Sequence, residues 1–160
     1  MKKLALAEWA SIAEIIGSIV VVVTLIVIGL ELRQNTNALY SSSWQQVLDK
    51  LIDLDVTEGA DAELAEIMRL GELHPERLSD AQRWRFDHIA QARLGQLEYA
   101  YLSKANGTLD DYHWGAMEGY LSVILCKPGY ARFWNEVGRE VYHQDFFAFV
   151  EANITASCLD

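Results

Sequence analysis

A chain of 160 residues with 13 basic and 23 acidic side chains has a formal net charge of -10. That sign argues against nucleic acid and against a polybasic grip on anionic lipid, both of which need clustered positive charge. The length suits one domain plus an anchor, and eleven of the basic and twenty of the acidic residues lie beyond Glu31, so about -9 of the charge belongs to the part that follows the anchor.

The anchor is the stretch from Trp9 to Leu32, which has no charge between Glu14 and Glu31. As a helix rising about 1.5 Å per residue, Trp9 to Leu30 covers roughly 33 Å, enough for a hydrocarbon core of about 30 Å. Val20 to Val23 with Ile19 before them leave no polar stripe, and a helix apolar on all sides must be buried in lipid or in protein. A chain this short offers little protein to surround it, so the reading is one transmembrane helix, with a buried core helix as the alternative. A cleaved signal peptide fits less well than an uncleaved signal-anchor, because Leu30-Glu31-Leu32-Arg33-Gln34 lacks small residues at cleavage spacing.

Residues 1–8 form a short tail with Lys2 and Lys3, and Trp9 stands where an interfacial aromatic belongs. Glu14 can reach back to the near interface, since helical side chains lean toward the N-terminus; its other reading is a carboxyl paired with a partner helix. Ala10, Ala13, Gly17 and Val21 share one face, and Ala13-x-x-x-Gly17 is a small-xxx-small pair that permits close helix approach, with plain lipid contact as the alternative. Lysine and arginine counts on the two sides nearly tie, so charge leaves the orientation open.

Nothing after Leu32 forces the helix to stop. Tyr40, Trp44, Val47, Leu48, Leu51 and Ile52 continue at helical spacing, predicting an amphipathic extension over 33–56 ended by Thr57-Glu58-Gly59. A second helix is expected from Asp61 to Leu73, followed by a loop that begins at Gly71. Ser79-Asp80-Ala81-Gln82 is a capping box opening a third helix, which Asn106-Gly107 closes with glycine in the left-handed position. Thr108-x-x-Asp111 is expected to start a fourth, with Trp114, Met117, Leu121, Ile124 and Leu125 inward. Lys127-Pro128-Gly129 breaks the chain before a fifth helix over 130–141, and 145–154 is a short sixth. No period-2 run suggests a sheet. The expected fold is all-α: one N-terminal transmembrane helix extending into a small aromatic-rich bundle, with an acidic helical domain over 60–156.

Glu8-Trp9-Ala10, the valine-rich span, Arg33-Gln34-Asn35-Thr36-Asn37-Ala38-Leu39 and the later Pro128-Gly129-Tyr130-Ala131-Arg132-Phe133-Trp134 carry a resemblance. The chain resembles a family of small bacterial proteins with one N-terminal span and a helical domain, over most of its length. Members often carry a basic residue soon after Asn-Thr, whereas here none follows Asn37 until Lys50. The family has no assigned activity, so the resemblance implies architecture and a bacterial inner membrane, not chemistry.

Glu140-x-x-His143 is the most enzyme-like pattern, with Asp110-x-x-His113 beside it. A di-iron bundle needs two E-x-x-H helices and two more inward carboxylates, and only one E-x-x-H occurs, so both pairs are read as helix-end capping, with no catalytic residue, metal or cofactor assigned. His74 is read as a loop residue and His88 as a surface one. Arg77, Arg83, Arg85 and Arg93 form a basic stripe read as surface ion pairs. Cys126 and Cys158 form no CxxC and no metal spacing; they are read as free thiols, with a bridge as the alternative. Trp44, Trp84, Trp114 and Trp134 fall one per helix. They either build a core of large rings or line an interaction surface.

These readings converge on a non-enzymatic, single-span membrane protein of the bacterial inner membrane. Its partners would be the bilayer and either further copies of itself or a larger membrane complex, as an accessory or oligomerising subunit. The alternatives are a tethered small-ligand sensor or carrier and, more remotely, a carboxylate–histidine metal enzyme.

Overall fold

The computed structural model describes residues 6–154 and residue 158. Among these, six α-helices run in the order α1 (Leu6–Ala60), α2 (Ala62–Leu73), α3 (Asp80–Ala105), α4 (Asp111–Leu125), α5 (Pro128–Val141) and α6 (Gln144–Asn153), with a 3₁₀ turn at Pro75–Arg77 and no strand. The chain divides into two compact units, one ending at Leu39 and one beginning at Tyr40, and α1 contributes to both. Of the helical extension expected over 33–56, the part from Tyr40 on falls in the second unit. The first five residues of the expected tail lie outside the described residues.

In the first unit every described side chain from Trp9 to Leu39 is exposed. The helix is long and apolar enough to cross a membrane, with a mean hydropathy of 2.7 over its most apolar window and none of that window buried. Its hydroxyls are satisfied by its own backbone. Ser18 Oγ donates to the Glu14 carbonyl and Thr24 Oγ1 to the Val20 carbonyl, both at 2.8 Å. Such back-bonding removes the donors that a hydrocarbon environment would leave unpaired.

In the second unit the outer part of α1 turns one stripe inward. Val47 and Leu51 are buried, with Ser43 one turn before them and Trp44, Leu48 and Leu54 half-buried beside the same stripe. Ile52, expected on that stripe, is exposed. The inward faces of the other helices follow the apolar period: Leu64, Ile67 and Met68 on α2; Phe86, Ala90, Leu94, Leu97 and Ala100 on α3; Trp114, Met117, Leu121, Ile124 and Leu125 on α4; Tyr130, Phe133 and Trp134 on α5; Phe146 and Val150 on α6. Each large apolar side chain removed from water contributes about 1.5–3 kcal/mol, which is why these stripes and not local propensity decide the fold.

Helix ends are set by caps. Asp61 Oδ1 accepts from the Glu63 and Leu64 amides at 2.9 and 3.1 Å. Ser79 and Gln82 form the expected capping box, and Gly107 takes φ +69 after α3. The fourth helix is capped by Asp110 and not by Thr108, whose hydroxyl instead donates to the Ser103 carbonyl. Pro128 does not precede α5 but begins it, its fixed φ and missing N–H both suiting a first turn.

Gly71, which the sequence places both in the second helix and at the head of the loop, lies inside α2. The reason is packing. A Cβ at Gly71 would sit 2.2 Å from the Phe86 ring, and one at Gly129 only 1.9 Å from the Gly71 carbonyl oxygen. The backbones of α2 and α5 thus meet against Phe86 of α3 at a point where no side chain fits.

The free-thiol reading of the cysteines is overturned. Cys126 and Cys158 form a disulfide, with Cα atoms 5.1 Å apart. Cys126 ends α4 and Cys158 follows α6, so only the folding back of α5 and α6 brings them together.

Candidate functional site

The densest polar constellation in the second unit centres on Arg93, which α3 carries on the same face as Ala90, Leu94 and Leu97. Only 4% of its side chain is exposed. Nη2 donates to Glu58 Oε1 at 2.6 Å and to Asp55 Oδ1 at 2.9 Å, both in the last turns of α1. Nη1 donates to the Tyr130 hydroxyl of α5 at 2.8 Å and lies 4.0 Å from Glu72 of α2. Lys127 Nζ completes the group, 2.5 Å from the other oxygen of Glu72. Four helices are tied through one guanidinium and its neighbours. Nε of Arg93 is buried with no hydrogen-bond partner, so the fork is used at its two ends and not at its root.

The electrostatics follow from this geometry. Burial pushes the Glu58 carboxyl above its ordinary 4.5; Arg93 pulls the other way but does not win, and Asp55 and Glu72 add repulsion. Burial also raises the Tyr120 phenol above 10.0, and that of the more deeply buried Tyr130 well above it. Arg93 itself is desolvated, which disfavours its charge, yet the surrounding oxygens more than offset this and hold it protonated. The cluster's work is to fasten the end of α1 to α2, α3 and α5. The basic-stripe reading is thus corrected at Arg93, which is a buried centre and not a surface partner, while Arg85 does pair at the surface with Glu63 (2.9 Å) and Asp61 (3.4 Å).

The two carboxylate–histidine pairs separate into different roles. Asp110 caps α4: its Oδ1 accepts from the His113 amide at 2.8 Å, and its carboxylate lies 2.9 Å from Nδ1 of the same residue. The His113 ring rests on Trp44, centroids 4.5 Å apart. Glu140 remains on α5, but His143 is already beyond its end and caps α6, its Nδ1 accepting from the Asp145 amide. The two residues do not share a helix face. Among the described residues no three His, Cys, Asp or Glu side chains come together to hold a metal ion.

The four tryptophans are divided. Trp114 and Trp134 are buried, though Trp134 still lines a surface hollow with Asn135, Glu140 and Glu151. Trp134 stacks between Tyr142 (5.4 Å, 17°) and Phe147 (5.3 Å, 13°), and its Nε1 donates to Glu151 at 2.7 Å. Trp114 meets Tyr101 and Phe149 edge-on. Such ring pairs add about 0.5–1.5 kcal/mol beyond their area. Trp44 is half-buried against the core, and Trp84 alone of the four is largely open, 64% exposed, stacked on His88 at 3.9 Å. The face expected to pack in the membrane, Ala10, Ala13, Glu14, Gly17 and Val21, is exposed throughout, and a Cβ at Gly17 would meet nothing within 4 Å.

Shallow grooves run over the surface of the second unit. One of about 600 Å³ lies between α1 and α3, lined by residues such as Gln46, Lys50, Gln96 and Tyr99. Another, about 770 Å³, lies where α5 meets α6, with Arg139, Tyr142, Phe147 and Glu151 along it. Comparison with family models, with curated proteins and with solved structures finds no match.

Proposed function

We propose that this chain is a bitopic membrane protein: residues 9–32 cross a bacterial inner membrane, and the acidic bundle that follows is a non-catalytic module for assembly with copies of itself or with a larger membrane complex. One observation carries the reading. The side chains of Ile15, Ile16, Ile19, Val20 to Val23, Leu25 and Ile26 are all more than half exposed in the isolated chain, a contiguous apolar surface far larger than water tolerates on a monomer. Lipid removes that cost. The self-satisfied hydroxyls of Ser18 and Thr24 and the uncharged run between Glu14 and Glu31 support the same environment.

Assembly is supported by the open Ala13–Gly17 face, where small side chains let a second helix approach within van der Waals contact. The buried polar groups point the same way, since Arg93, Glu58 and Tyr130 are occupied in holding helices together and are not arrayed about a substrate.

The experiment is fractionation of full-length protein by carbonate extraction, followed by crosslinking and native mass spectrometry in mild detergent. Retention in the membrane pellet and an oligomer or a co-purifying complex are expected, with Gly17→Leu weakening self-association. Extraction by carbonate would defeat the anchoring. A strictly monomeric protein with nothing bound would defeat the assembly role.

A further inference from the structure

The Cys126–Cys158 disulfide closes a loop over a sequence separation of 32 that contains all of α5 and α6, and no free cysteine remains. Bonds of this kind persist in oxidising compartments and are rare where glutathione and thioredoxin keep thiols reduced. A helix that crosses a membrane puts its two ends in different compartments, so a bond that needs one of them fixes the orientation. The charges do not oppose this. Lys2 and Lys3 precede the span, and between Leu32 and Lys50 only Arg33 is basic. Basic residues favour the cytosolic side, but so even a count decides nothing alone. The disulfide decides it.

We propose that the unit from Tyr40 onward stands on the oxidising face of the membrane, with the amino-terminal side of the span in the cytosol, and that a disulfide-bearing thiol oxidant closes the bond after translocation. This rests on the anchoring reading above. In the reaction one cysteine thiolate attacks the oxidant's disulfide, forming a mixed disulfide and releasing one oxidant thiolate. The second cysteine thiolate then displaces the other. The two thiols together lose two protons and two electrons, and the oxidant leaves as its dithiol. The product locks the end of α4 to Cys158 beyond α6, so that the α5–α6 pair, whose α5 carries Tyr130 of the Arg93 cluster, is closed into one loop.

The test uses the full-length protein in a Gram-negative cell. Thiols are trapped by acid and treated under denaturing conditions with a polyethylene-glycol maleimide, with and without prior reduction. Membrane-fraction protein is expected to gain no adduct without reductant and two after it, and to gain two without reductant in a strain lacking its periplasmic thiol oxidant. Two adducts without reductant in the normal strain would overturn the assignment. A second measurement does not need the bond to form. In a Cys126→Ser, Cys158→Ser background, Tyr112→Cys places one thiol at a position 85% exposed. A membrane-impermeant maleimide should label it in intact spheroplasts; labelling only after lysis would overturn the orientation. Recovery of the protein in the soluble fraction would instead defeat the anchoring reading, and the orientation with it.

Discussion

Arg93 Nη2 donates to Glu58 Oε1 at 2.6 Å, joining α3 to the last turn of α1 across 35 residues of sequence. The pair is the point at which a helix that begins in the apolar unit is fastened into the bundle. Taking a guanidinium out of water is costly, and only good geometry with several acceptors offsets it. Here two carboxylates and a phenol supply those acceptors.

Arg93→Ala is therefore expected to destabilise the bundle by about 3–5 kcal/mol, because it leaves the largely buried Glu58 without its cation. Replacing both partners, Arg93→Met with Glu58→Gln, should cost distinctly less. Urea unfolding of full-length protein in mild detergent, followed by tryptophan fluorescence, measures both. Equal losses in the single and double variants would mean that the charge pairing has no part in the effect.

Glu58 gives the cluster a pH dependence of unusual sign. Its folded carboxyl holds a proton more tightly than the ordinary 4.5 of an unfolded chain, because burial outweighs the pull of Arg93. Its contribution therefore favours folding below 4.5 and is lost as pH rises through the folded value. Asp61 and Asp110 run the other way: backbone amides from Leu64 and His113 hold them below 3.8, so their contribution is present above that value and fades in stronger acid. Between neutrality and about 4.5, wild-type protein should gain stability relative to Glu58→Gln. Unfolding curves at several pH values compare them, and parallel profiles would remove Glu58 from this role.

The sequence was most legible where a single helix speaks for itself. The apolar period placed Trp114, Met117, Leu121, Ile124 and Leu125 inward on α4, and Ser79 with Gln82 announced the start of α3. What stayed hidden depends on contacts between distant segments. Arg93 stands among Ala90, Leu94 and Leu97, a basic residue on an apolar face, and that position was the available signal of its burial. Its acceptors lie 35, 38 and 37 residues away, where no local pattern reaches. The disulfide was out of sight for the same reason. Gly71 was legible both as the end of the second helix and as the start of the loop; glycine costs a helix about 1 kcal/mol, and only the ring of Phe86 explains why the helix keeps it.

That close approach sets up a paired prediction on glycines. Gly129→Ala would place a methyl 1.9 Å from the Gly71 carbonyl oxygen, which is backbone and cannot swing aside. Overpacking of this kind costs about 1–3 kcal/mol or more. Gly95 lies in mid-helix with nothing within 4 Å of its Cβ direction, so Gly95→Ala should stabilise by roughly 0.5–1 kcal/mol through lower backbone entropy in the unfolded chain. Opposite shifts of the urea midpoint are expected, and shifts of the same sign would contradict the α2–α5 contact.

Asp110 offers a last test, because one carboxylate there caps a helix and holds a histidine ring against Trp44. Its Oδ1 accepts from the His113 amide, and its carboxylate also meets Nδ1. Asn keeps the capping oxygen and loses the charge; Ala loses both. Asp110→Asn should therefore retain most of the stability of α4, whereas Asp110→Ala should lower it as an N-cap deletion. Urea unfolding of the three proteins in mild detergent compares them. Equal losses in Asp110→Asn and Asp110→Ala would mean that the charge, and not the oxygen that accepts from the His113 amide, holds the start of α4.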